Sequence, residues 1–262
     1  MLQVLNDSKC FSVHLNENKN EYKCLYLRMA VILSTNIVLV IINSKTSISS
    51  WEFESDYTYL AKTVSLLLVI SENLYSVLPH GIFPVSYMLV CHCLLKMLKS
   101  IKEMMEGGSP EDFENITKSY IRIRRLVGAA DDVLSIPMFL FCLFHAVTMH
   151  FCVTCLIHPS EFAKLLIRAS HWILFLGINF AFICMSGEAS LIYEYNIKLG
   201  NMAQELMAKE PNPSVWQKNF VSIVDKEMSL SVWKITSVKR SFILVTLGTV
   251  LTYSILFDSL RI

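Results

Sequence analysis

Glu72, Ser76 and His80 recur at every fourth residue, with Tyr75 beside them. On a helix the first three share one face and Tyr75 flanks it, so the four side chains cover an arc of about 140°. A carboxylate, a hydroxyl, an imidazole and a phenol among apolar neighbours are the groups that anchor a small organic ligand within apolar walls. His145 and Trp172, in later apolar stretches, are candidates to join them. Ionisable groups at membrane depth are costly to bury and usually face a cavity or a partner. A plainer reading exists for each residue. Glu72 and Tyr75 would then lie in the membrane interface, Ser76 would bond its own helix, and His80 would cap backbone groups freed by Pro84. Glu188 reads as an inner-interface or interhelical ion-pair partner.

A second pattern lies near the C-terminus, where Ser241, Gly248, Thr252 and Ser259 fall within about 40° of one another on a helix. Their side chains form a stripe of small, mostly polar groups. Such a stripe either lines a water-filled path or lets two helices pack closely. Asp258 projects about 100° from it. Repeated around a pore it would give a ring of acids that favours cations, although an acid at a membrane interface needs no special role.

Other chemistry finds no support. No P-loop, GxSxG, HExxH or soluble carboxylate pair is present, so no catalytic residue, metal or cofactor is expected and the chain does not read as an enzyme. CVTC at Cys152 to Cys155 is the one CxxC and has no second half. The cysteines within apolar spans read as small packing residues.

These candidates must be held by membrane helices. The 262 residues are 53% hydrophobic and 17% charged, with mean hydropathy +0.47, more apolar than a soluble domain of this size requires. Five runs approach the roughly 20 residues needed to cross a bilayer: 25–43, 61–95, 134–157, 171–193 and 241–257. In lipid they must be helices, since the alternation of a barrel strand is absent. Pro79, Gly81 and Pro84 should bend or locally unwind the long second run. The expected organisation is a cytosolic N-terminal segment over 1–24, then a transmembrane domain over 25–262. The fold class is an all-α polytopic helical bundle.

Charge sets the expected orientation. With the N-terminus inside, 18 of the 23 Lys and Arg are cytosolic, leaving Lys45, Lys62, Lys164, Arg168 and Arg261 outside. That asymmetry places the C-terminus outside, opposite to a G-protein-coupled receptor. No cleavable signal peptide is expected before the first span, and the sequons at Asn6 and Asn115 fall in cytosolic segments and should stay unmodified. The long connections, 99–128 and 196–240, are cytosolic. Residues 111–128 read as a charged helix running towards the third span, with Asp131 and Asp132 near the membrane face. Trp216 to Trp233 reads as an amphipathic segment with Trp216, Phe220, Ile223 and Val224 on one side. The basic residues form no continuous stripe, which argues against nucleic-acid binding.

The stretch 230–260, LSVWKITSVKRSFILVTLGTVLTYSILFDSL, resembles the C-terminal signature of the arthropod gustatory and odorant receptor superfamily, most of all its gustatory branch and divergent arachnid members. The family hallmark is Thr-Tyr, five apolar residues, then Gln-Phe. Thr252 and Tyr253 match it, whereas Ser259 and Leu260 replace the Gln-Phe pair. The resemblance implies a seven-helix, ligand-gated, nonselective cation channel in the plasma membrane. It further implies a tetramer, homomeric or heteromeric, joined by cytosolic helical extensions, gated by a small tastant without a G protein, and lined by its last helix. Five spans are seen here, so Met1 is expected near the family's first intracellular loop, with two helices missing before it. A transporter, with its substrate site at the broken second span, and a non-conducting accessory subunit or fragment are the alternatives.

Overall fold

The structure, a computed structural model, describes residues 19–51, 81–107, 112–158 and 165–260, with four positions between 63 and 71. Of the expected N-terminal segment, residues 1–18 lie outside the described residues. The elements are α1 (Lys19–Trp51), α2 (Phe83–Gly107), α3 (Phe113–Ile157), α4 (Leu165–Lys209), α5 (Val215–Val224), β1 (Ser231–Val232), β2 (Thr236–Ser237) and α6 (Arg240–Ser259). The architecture is an all-α polytopic bundle. Among the described residues four helices are long and apolar enough to cross a membrane: Tyr22–Ile42, Phe113–Ile157, Arg168–Lys209 and Arg240–Ser259. These coincide with four of the five expected spans. The remaining one, 61–95, is described continuously only from residue 81, where Gly81 and Ile82 form a wide π-type turn leading into α2.

α3 and α4 have 45 residues each, about 68 Å at 1.5 Å per residue and roughly twice the hydrocarbon thickness. Each is therefore one rod that spans and then continues beyond the membrane. The charged helix expected over 111–128 and the span expected from 134 are parts of the same element, and Gly128 does not separate them. A glycine within a helix costs only about 1 kcal/mol, and burial of Ile123 and Val127 on the same helix offsets it.

α1 packs on α4 through a narrow stripe of Leu25, Ile32 and Asn36. The close approach depends on Gly177, since a Cβ there would lie 2.6 Å from Thr35 Cγ2. Tyr26, Leu27, Ile37 and Ile41 are exposed around the rest of α1, as suits a helix whose solvent is lipid.

One apolar core continues from the membrane layer, with Tyr87, Met138, Phe141 and Phe182, into the helical extensions, with Ile116, Tyr120, Leu199, Phe220 and Val224. α5 starts on a capping box between Ser214 and Gln217 and buries Gln217, Phe220 and Val224. Trp216, expected on that face, is instead exposed. The amphipathic segment expected to reach Trp233 ends as a helix at Val224. There Arg124 donates to the carbonyls of Ile223 (2.9 Å), Lys226 (3.1 Å) and Glu227 (3.2 Å), satisfying acceptors that a helix end leaves open. Beyond it Met228, Leu230 and Val232 are buried alternately, the period of extended chain. That chain folds into the β1–β2 hairpin, with Ser231 opposite Ser237 and Val232 opposite Thr236.

Candidate conduction helix and ligand site

α6 packs on α3 and α4 by a single face. Phe242, Ile243 and Leu247 rest against the core, and Ser254 is the buried residue of the helix. At 100° per residue Ile243, Leu247 and Ser254 lie roughly opposite the small polar stripe, with Phe242 about 100° from it. Ser241, Gly248, Thr252 and Ser259 are accordingly all exposed, and a Cβ built on Gly248 meets nothing within 4 Å. Among the described residues the stripe has no packing partner within its own chain. Thr252 and Tyr253 both sit on the uncovered side, Tyr253 tilted against Phe257 at 6.2 Å.

The N-terminal end of α6 is fixed through the hairpin before it. Trp233 and Lys234 have φ of 47° and 57°, left-handed conformations that cost a non-glycine residue about 1–2 kcal/mol each. They persist because α3 holds them. Trp233 N donates to Ser135 O at 2.9 Å, near Pro137, whose missing N–H loosens this part of the helix. The Trp233 ring packs on Phe139 at 4.6 Å. Asp131, buried, accepts from Ser231 N (2.6 Å), Ser231 Oγ (2.8 Å) and Lys234 Nζ (2.5 Å), while Asp132 accepts from Lys234 at 2.8 Å. Hydrogen bonds to Asp131, then Asp132, keep the Lys234 ammonium charged above the ordinary lysine range. Arg240 adds a two-pronged pair to Glu194, 2.5 Å from Nε and 2.8 Å from Nη2, the geometry that fixes orientation best.

The C-terminal end is tied to the same partner helix. His158, which caps α3, places Nε2 3.1 Å and 3.2 Å from the two Asp258 oxygens, and His150 meets Phe257 edge-on at 6.1 Å. The Asp258 carboxylate is turned towards α3, and only 9% of its side chain is exposed.

Glu72, Tyr75, Ser76 and His80 lie outside the described residues. His145 is fully buried, stacked on Phe182 at 4.7 Å and on Phe141 at 6.3 Å. Among the described residues neither of its ring nitrogens has a hydrogen-bond partner, nor do the buried hydroxyls of Tyr87 and Ser186. Trp172 is 49% exposed. It lies ten residues from Phe182, about 15 Å along α4, so His145 and Trp172 are not brought into one cavity.

Glu188 forms the expected interhelical pair, with Arg28 at 2.5 Å. The Asp131–Ser231–Lys234 tie and the His158–Asp258 pair join residues about a hundred positions apart, and no local spacing announces them. The one available signal was two adjacent acids at the foot of an apolar span. Among the described residues no group of three His, Cys, Asp or Glu could hold a metal.

No protein-family model matches the chain, and no curated protein matches it in sequence. Two solved structures of an insect olfactory receptor, OR5 from Machilis hrabei, are similar in fold. The receptor in complex with eugenol superposes with a TM-score of 0.72 at 12% identity, covering 92% of this chain and 68% of that one. Another structure of the receptor gives 0.63 at 14% identity, covering 90% and 67%. At such identity the likeness establishes a shared fold, and the four membrane-length helices agree with it.

Proposed function

We propose that this chain is a subunit of a ligand-gated, nonselective cation channel of the arthropod chemoreceptor type, gustatory by its C-terminal signature, and not an enzyme. The observation that carries the reading is the uncovered polar face of α6. A helix this apolar, with its small hydroxyl stripe turned away from its own bundle, suits four copies converging on an axis where the stripes meet water. The shared fold supports it, and the helical extensions, held rigid by a core continuous with the membrane layer, offer subunits a place to assemble. The multi-pass chain is then oriented in the plasma membrane with its N-terminus in the cytosol and its C-terminus outside.

The ligand is a small organic tastant, entering from outside between the second span, α3 and α4. Glu72, Tyr75, Ser76 and His80 supply its anchors, with His145 on a neighbouring helix. Unpaired polar atoms on His145, Tyr87 and Ser186 within an aromatic stack favour a site that accepts a further hydrogen-bonding group. The ligand opens the pore by binding the open packing of α6 better than the closed one.

Bilayer recordings of the chain, challenged with small organic compounds including eugenol, should show unitary current steps. Saturable uptake without steps would instead identify a transporter, the reading that the wide turn at Gly81 and Ile82 favours. In a conducting preparation, His80→Ala or Tyr75→Ala should shift the agonist concentration dependence more than the maximal current. An unchanged response in both, at normal surface level, removes those residues from the site.

A further inference from the structure

We propose that the tip of the β1–β2 hairpin is a membrane anchor, in which Trp233 and Ile235 insert into the headgroup and upper acyl layer of the bilayer beside α3. Only a bilayer around the long apolar helices is required, whichever way the chain is oriented and whether or not it conducts.

The turn gives the first reason. Ile235 N donates to Val232 O at 2.9 Å, and the two residues between them, Trp233 and Lys234, both have positive φ. A hairpin turn of this kind favours Asn and Gly. The backbone disfavours Trp and Lys at these places, so their side chains answer to another need. The rest of the chain meets that need only in part. Phe139 covers one side of the indole at 4.6 Å, yet Trp233 is 50% exposed and Ile235 75% exposed.

Depth follows from the partner helix. Trp233 N bonds Ser135 O and its ring rests on Phe139, where α3 passes beyond Asp132 from charged to apolar sequence. At 1.5 Å per residue these contacts lie roughly 5–10 Å past the last carboxylate, the layer in which Trp collects at membrane surfaces. Val133, Ile136 and Leu140 share one face of α3 and are exposed at the same level. The tip thus continues the apolar surface of a helix long enough to cross the membrane.

A neighbouring subunit suits this surface less well than lipid. Lys234, beside the two apolar side chains, is half-exposed while bonded to Asp132, which is more exposed still. Covering the tip with protein would strip water from both charges, and lysine is depleted at protein interfaces. At a bilayer surface the same ammonium stays among hydrated headgroups while Trp233 and Ile235 lie below it. Only Val238 and Lys239 separate β2 from α6, so the anchor fixes the depth at which α6 begins.

The test uses the full chain in phosphatidylcholine vesicles. Trp51→Phe, Trp172→Phe and Trp216→Phe together leave Trp233 as the one fluorescent indole. Lipids brominated near the headgroup end of their acyl chains should remove about half of its emission, as suits a half-exposed ring at the interface. Mid-chain bromines and aqueous iodide should each remove less. Ile235→Ser, at a side chain three-quarters exposed, should cut the shallow quenching about twofold by weakening insertion. If the triple variant does not fold, the quenching lost between the wild type and Trp233→Phe gives the same readout in the native background. Strongest quenching by iodide would put the tip in water, insensitivity to all three quenchers would put it beneath protein, and strongest quenching by mid-chain bromines would put it in the hydrocarbon core. Each of these overturns the anchor, as does an Ile235→Ser variant quenched like its parent. None of the readouts requires current, so such failures leave the channel reading standing.

Discussion

Asp131 gathers three donors from the hairpin onto a carboxylate that is almost wholly buried. Charged hydrogen bonds in such a setting stabilise more than exposed ones, and removing the acceptor would leave Ser231 N without its partner. Asp131→Ala should therefore lower stability in detergent by about 2 kcal/mol, read from chemical unfolding. Asp132, also bonded to Lys234 but with 72% of its side chain exposed, should cost under about 0.5 kcal/mol as Asp132→Ala. Equal effects would mean that the hairpin is not held by Asp131. The sequence shows this scale poorly. Contacts within one helix follow from spacing, and the shared face of Ser241, Gly248, Thr252 and Ser259 was legible in that way. The partners of Asp131, His158 and Arg28 lie 100 or more residues away, and tertiary packing alone brings them together.

At the scale of elements, the α1–α4 contact depends on one missing side chain. Ala at 177 places its Cβ 2.6 Å from Thr35 Cγ2, so Gly177→Ala should cost about 1–3 kcal/mol by overpacking. Thr35→Ser deletes the offending methyl and keeps the hydroxyl that bonds Val31 O at 2.7 Å, so the double variant should recover most of the loss. Failure to recover, measured as the apparent unfolding temperature, would show that the two helices do not meet at this point. The membrane helices themselves were readable, because long apolar runs have no other stable form in lipid. The end of α5 was not. Its helical pattern runs directly into the alternation of Met228, Leu230 and Val232, and over a few residues the two periods give similar apolar positions. The joining of 111–128 to the third span was missed for the opposite reason, since Gly128 resembles a stop that packing overrides.

For the whole molecule, the proposed orientation rests on the asymmetry of Lys and Arg. The ion pairs Arg28–Glu188, Lys234–Asp131 and Arg240–Glu194 cluster where the spans meet the extensions. An epitope added after Ile262 should be labelled on intact cells, and labelling only after permeabilisation would reverse the orientation. The central claim is that the uncovered face of α6 contacts conducting water, and cysteine accessibility tests it most directly. Once the native cysteines are shown silent, Thr252→Cys and Ser259→Cys should react with a small charged thiol reagent in the open channel. A positively charged adduct should then reduce cation current more than a neutral one of similar size. Ser254→Cys, on the face buried against the chain's own bundle, should be protected. Leu256, about 60° round from the stripe, is the internal comparison. If Thr252→Cys and Ser259→Cys conduct unaffected while Leu256→Cys is blocked, the polar stripe is a seam between subunits and the pore faces another side of α6.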